Sequence, residues 1–169
     1  MFKSNIILIG MPGVGKSTVG VLLAKALGRN FIDTDVYIQA IENRTLQSIL
    51  DEKGKEDFCK IEQEQIICID VKNAVIATGG SVVYSQKAMD HLSIDGIIIH
   101  LDLDYKSIEK RITNLSTRGV VKEKHQTIKD LYETRQPIYL KYAQITINCT
   151  DKNQDQIVTE IIERLNDKD

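Results

Sequence analysis

The sequence predicts a single three-layer α/β/α domain built on a five-stranded parallel sheet, and three observations carry that reading. Short runs of aliphatic and β-branched residues alternate with amphipathic helical stretches along the whole chain. The first run, Ile6-Ile7-Leu8-Ile9, leads directly into Gly10-Met11-Pro12-Gly13-Val14-Gly15-Lys16-Ser17-Thr18, which fits G-x-x-x-x-G-K-[ST]. At 169 residues the chain is long enough to bury one substantial core without disulfides, and it shows neither repeats nor linkers.

The motif dictates the first three elements: strand, phosphate loop, helix. Its glycine-rich turn lets successive backbone N–H groups point at the α- and β-phosphates of a nucleotide. Lys16 would reach the β/γ-phosphates and Ser17 would place its hydroxyl on Mg²⁺, while the helix beginning there directs the positive end of its dipole at the same anion. Val19, Leu22, Leu23, Ala26 and Leu27 give that helix an apolar face, and Gly28 is a plausible stop. Phe31-Ile32 begins a second strand ending at Asp33-Thr34-Asp35, so two carboxylates fall at a strand's C-terminal end, the edge where open α/β sheets bind ligands. Asp33 or Asp35 is also suited to capping the next helix, which carries Val36, Ile38 and Ile41.

From Thr45 to about Val71 the pattern is helical, interrupted at Gly54. Two helices meeting there would form a lobe over about 36–72. Ala74-Val75-Ile76-Ala77 is the third strand, closed by Thr78-Gly79-Gly80-Ser81, where adjacent glycines allow a ligand to approach the backbone closely. Gly96-Ile97-Ile98-Ile99-His100-Leu101 reads as a buried fourth strand, and Tyr105, Ile108 and Ile112 mark the helix after it. Hydrophobic periodicity then lapses over about 114–126 while Arg118, Lys122, Lys124 and His125 accumulate, the mark of a loop of active-site-lid length. A helix with Ile128, Leu131, Tyr132 and Arg135 follows, and Pro137 is expected to end or kink it. Ile145-Thr146-Ile147-Asn148 forms a fifth strand, and Ile157, Val158, Ile161, Ile162 and Leu165 define a closing helix.

Composition narrows the partners. A net charge of −2 gives no concentrated basic excess, so neither nucleic acid nor a membrane surface is expected. The three cysteines lack C-x-x-C spacing and the three histidines are scattered, so neither set forms a metal-site pattern. The four-residue apolar run before Gly10 is too short for a signal peptide, and no stretch approaches the ~18 apolar residues of a membrane span. A cytoplasmic protein with reduced thiols is the expectation.

Taken together, GMPGVGKST, FIDTD, GKEDFCKIEQE, ATGGS, the Arg111–Arg118 spacing and ETRQPIYLKYA resemble the shikimate kinase family across nearly the whole chain. The resemblance implies a P-loop kinase fold with sheet order 2-3-1-4-5, a lid closing over ATP, and transfer of the γ-phosphoryl to a hydroxyl of shikimate. It implies an ATP site at Gly13, Val14, Gly15, Lys16, Ser17, Thr18, Arg111 and Arg118, with one Mg²⁺ held through Ser17 and Asp33. Asp35, Gly79, Gly80 and Arg135 match the acceptor site, Asp35 as the group that orients the hydroxyl and takes its proton, and Lys16, Asp35 and Arg118 match the catalytic set. A monomer is the default for this kind of small enzyme.

Two departures fall on the acceptor side. Where the family pattern is F-R-x-x-E, this chain reads Phe58-Cys59-Lys60-Ile61-Glu62, and Ser81 stands where a third glycine is usual. Losing one arm of a two-arginine carboxylate clamp removes a charge-assisted contact of ~1.5–3 kcal/mol. Lys60 would have to reach back about 100° round the helix to replace it. The lid also reads Arg118-Gly119 in place of Arg-Pro. These departures leave three readings: a shikimate kinase, a paralogous kinase for another small alcohol, and a nucleotide-binding regulatory module without catalysis. Asp35 and Arg118 argue against the last, since mere binding needs neither.

Overall fold

A computed structural model describes residues 3–112, 120–122 and 125–167. Its sheet contains β1 (Asn5–Ile9), β2 (Asn30–Asp33), β3 (Ala74–Ala77), β4 (Gly96–Asp102) and β5 (Ile145–Asn148). All pairings are parallel, and the order is β2-β3-β1-β4-β5. The central strand β1 is buried at every position, which explains why it reads as a continuous apolar run.

Parallel neighbours need crossovers, and helices supply them: α1 (Lys16–Leu27), α2 (Thr34–Glu42), α3 (Leu46–Ile67), α4 (Gln86–Asp95), α5 (Tyr105–Ile112), α6 (Ile128–Tyr142) and α7 (Gln154–Asn166). Alternation along β1 separates the two helical layers. Leu8 lies against Gly20 of α1, whereas Ile7 points to the opposite face, against Gly96 and the end of α4. Helices α1 and α7 pack on one another, as do α3 and α4. The main core fills both sides of the sheet. A second, small cluster of Ile38, Leu46, Ile49, Phe58 and Val121 gives the α2–α3 lobe its own packing.

Several local expectations match. Helix α1 ends at Gly28 in the left-handed region, and α3 is broken at Gly54, whose φ of 77° and ψ of 175° divide it into two segments. Of the two outcomes expected at Pro137, an end to the helix is ruled out, since α6 runs on to Tyr142. The buried side chains of Arg135 and Tyr139 anchor the helix on both sides of the proline. Pro137 and Glu133 face solvent, where water can satisfy the Glu133 carbonyl that loses its partner. Helix α4 escaped the periodicity reading, since only Ala88, Met89 and Leu92 are buried in a polar stretch. No described helix is long and apolar enough to cross a membrane.

Candidate active site

The C-terminal ends of β1, β2 and β3 converge on a cleft of about 390 Å³. One wall is the phosphate loop. Gly13 and Gly15 adopt positive φ, and Gly15 precedes α1 without any side-chain cap, so the first amides of that helix remain available to an anion. Helices α2, α3, α4, α6 and α7, by contrast, are all capped by a side chain. Gly13, Gly15, Lys16, Ser17 and Thr18 line the cleft, and Val14 is buried behind them.

Lys16 is buried, with Nζ donating to the carbonyls of Gly10 at 2.7 Å and Met11 at 3.0 Å. Burial pulls its pKa down to about 8, opposed by the nearby Asp35 carboxylate. An anion in the loop would relieve that desolvation. Ser17 Oγ donates to Asp33 Oδ2 at 2.5 Å, which joins the start of α1 to the end of β2. Asp33 also caps α2, its Oδ1 accepting from the amides of Asp35 and Val36, so one side chain joins the starts of α1 and α2.

Asp35 sits in the first turn of α2 and lines the cleft. Burial and then Asp33 push its pKa up to about 6, and Lys16 opposes the shift. A carboxyl poised there is ionised at neutral pH yet basic enough to accept a proton. Opposite it, the turn after β3 is fixed by two threonines that sequence reading left unassigned. Thr34 Oγ1 accepts from the Gly79 amide at 3.1 Å, and Thr78 Oγ1 donates to the Leu8 carbonyl at 2.9 Å. The absence of a side chain at Gly79 is required: a Cβ would stand 2.5 Å from Glu62 Oε1 and 2.8 Å from Asp35 Oδ1.

Arg135 is 1% exposed and lines the end of the cleft where the acceptor is expected. Its Nε donates to the Tyr84 hydroxyl and its Nη2 to the Val121 carbonyl, while Nη1 faces Gly80. Tyr139 hydroxyl donates to the Gly80 carbonyl at 2.7 Å and braces the same turn. Arg111 lines the other end of the cleft, with Nη1 donating to the carbonyls of Gly13 and Val14. Arg118 and Gly119 lie outside the described residues, as does most of the stretch expected to form the lid.

The two departures are located unequally. Cys59 is half-buried against the lobe's small cluster. Lys60 is exposed and ion-paired with Asp57 at 2.8 Å, so it does not reach back to take over an arginine's place. Ser81, in contrast, is buried and donates to Glu62 Oε2 at 2.8 Å. Glu62 is the residue sequence reading missed. It lies on the buried stripe Phe58, Glu62, Ile66, and a carboxylate on an apolar i, i+4 stripe was the available signal. Burial pushes its pKa up to about 7 against the Ser81 hydrogen bond, which lowers it.

Comparison with known proteins decides the family. Residues 12–166 match the family model described as shikimate kinase. The chain belongs to the shikimate kinase family. A shikimate kinase of Persephonella marina is 36% identical over 162 residues, covering 95% of this chain and 98% of the relative. One from Staphylococcus haemolyticus is 38% identical over 164 residues, covering 96% and 95%. Among solved structures, the shikimate kinase of Acinetobacter baumannii in complex with shikimate superposes with a TM-score of 0.89 at 27% identity, over 98% of this chain and 94% of that one. The P-loop kinase fold and sheet order are therefore those of the family.

Proposed function

We propose that this shikimate kinase family member transfers the γ-phosphoryl group of ATP to a hydroxyl of shikimate. The observation that carries the reading is the single cleft in which an uncapped phosphate-loop helix, the proton-accepting Asp35 and the buried Arg135 face one another. Phosphoryl transfer needs positioning and positive charge more than covalent chemistry. Lys16 and the loop amides would hold the β- and γ-phosphates. Asp35 would receive the acceptor hydroxyl, orient it in line and take its proton. Arg135 would hold the acceptor's carboxylate through Nη1, and the backbone of Gly79 and Gly80 would line the ring's seat. On the strength of the resemblance, Arg111 is assigned to the adenine end and Arg118 to the transferring phosphoryl.

Ser17 and Asp33 suit Mg²⁺, because a hydroxyl and a carboxylate already in contact at a helix N-terminus form an all-oxygen donor set for a hard cation. When bound, Mg²⁺ would neutralise charge on the phosphate oxygens. The three cysteines are free thiols, which fits a reducing compartment such as the cytoplasm, and a monomer completes the reading.

A second reading, a kinase for a different small alcohol, is favoured by one observation: the acceptor end has Cys59 and a Glu62–Ser81 pair where a second arginine is expected. ADP release with Mg²⁺-ATP and a panel of shikimate, other hydroxy acids, polyols and amino alcohols separates the two. Stimulation by shikimate is expected; stimulation only by another alcohol selects the second reading, and no stimulation by any acceptor rejects both.

A further inference from the structure

Glu62 has an unusual position for a carboxyl group. It is 3% exposed, Oε2 accepts one hydrogen bond from Ser81, and Oε1 has no hydrogen-bond partner. That oxygen shares with Asp35 Oδ1 the small space left by the missing Gly79 side chain, behind Gly79, which with Asp35 lines the cleft. An unpaired carboxylate oxygen buried beside a second carboxylate is strongly disfavoured. A neutral carboxylic acid is not, because Oε2 keeps the Ser81 hydrogen bond while Oε1 becomes a donor.

The charges around Glu62 explain why this matters to the acceptor. The groups facing it are Lys16 from α1, Asp35 from α2, Cys59 on its own helix, and Arg135 and Tyr139 from α6. Above neutral pH, where Glu62 is ionised, Lys16 and Arg135 face Asp35, Glu62 and, beside Lys16, Asp33. An acceptor carboxylate arriving at Arg135 adds a negative charge, and position 59 supplies a thiol where an arginine would have offset it. Burial drives the Cys59 pKa upward, so the thiol stays neutral and adds no further charge.

Resting on shikimate or another hydroxy acid as acceptor, we infer that Glu62 is a specificity-determining acid: it takes up one proton when an anionic acceptor binds, and with Ser81 holding its other oxygen it replaces the positive charge missing at position 59. One O–H bond forms at Oε1, with its proton taken from solvent, and no bond between heavy atoms changes. The Ser81–Glu62 hydrogen bond thus links the two departures from the family pattern. Its consequence is that the protein binds an anionic acceptor best below neutral pH, whereas a neutral polyol would show no such preference.

The test is the pH dependence of KM for shikimate, measured by ADP release at saturating Mg²⁺-ATP from pH 6 to pH 9. KM should be flat at low pH and rise toward tenfold per pH unit above about pH 7.5, the slope of one proton taken up. KM for ATP is the internal control, since loss of the Lys16 charge would raise it as well. Glu62→Gln, which is neutral at every pH, and Cys59→Arg, which restores the charge, should each flatten the shikimate profile. A flat profile in the unmodified protein, or the same rise in Glu62→Gln, overturns the inference. Should Glu62→Gln fail to fold, calorimetry of shikimate binding to the unmodified protein in two buffers of different ionisation enthalpy still decides it. Uptake close to one proton at pH 8 and near none at pH 5.5 is expected, and equal uptake at both overturns it. If shikimate neither binds nor turns over at any pH, the proposed acceptor is wrong and this inference falls with it.

Discussion

Asp35, half-buried on the wall of the cleft, and Glu62, fully buried behind Gly79, are neighbouring carboxyls in different surroundings. Asp35 has Lys16 beside it, which limits the rise in its pKa to about 6. It is therefore mostly ionised at pH 7, and kcat/KM should climb as pH rises from 5 to 7 and Asp35 loses its proton. Asp35→Asn should lower kcat by about 10²–10⁴-fold with ATP affinity retained; equal loss of both would place Asp35 on the nucleotide instead. Glu62 is shifted further, from 4.5 to about 7, and that shift is also a statement about stability. A carboxyl whose folded pKa exceeds its unfolded value favours the unfolded chain as pH rises from about 4.5 through 7. At 1.36 kcal/mol per pKa unit the cost above pH 7 is about 3 kcal/mol. Glu62→Gln should therefore raise the urea midpoint at pH 8 and leave it nearly unchanged at pH 4.5. A gain of equal size at both values would trace the effect to packing.

At the scale of elements, the α2–α3 lobe is where reading the sequence succeeded for position and failed for chemistry. Gly54 was legible as an interruption because it breaks the 3.6-residue periodicity, and its φ of 77° shows why glycine stands there. Nothing lies within 4 Å of a Cβ built on it, so Gly54→Ala should cost about 1–2 kcal/mol through backbone strain alone. A thermal melt checks this, and an unchanged midpoint would mean that the break survives without glycine. The Glu62–Ser81 hydrogen bond was not legible, because its partners belong to α3 and to the turn after β3, 19 residues apart, and only tertiary packing brings them together. The same holds for Thr34 and Gly79. At Pro137 the helix does not end, for the opposite reason. The local rule that proline stops helices was overridden by Arg135 and Tyr139, whose burial holds α6 in place on both sides of it.

For the whole molecule, topology was the most legible level. β1, β3 and β4 announced themselves by apolar runs, β2 by the pair Phe31-Ile32 and β5 by alternation, and the phosphate-loop spacing set the sheet edge on which Asp33, Asp35, Gly79 and Gly80 would meet. The loop alone implied only a nucleotide. Helical spacing already set Lys60 about 100° from Cys59, and its ion pair with Asp57 bears that out, whereas the inward turn of Ser81 to Glu62 needed distances. Phosphoryl transfer from ATP to shikimate can be followed by phosphorus NMR of the protein with Mg²⁺-ATP and shikimate. The γ-phosphate signal should be replaced by that of a phosphate monoester of shikimate, one for each ADP formed. ADP accompanied only by inorganic phosphate, or an unchanged ATP spectrum, would contradict it.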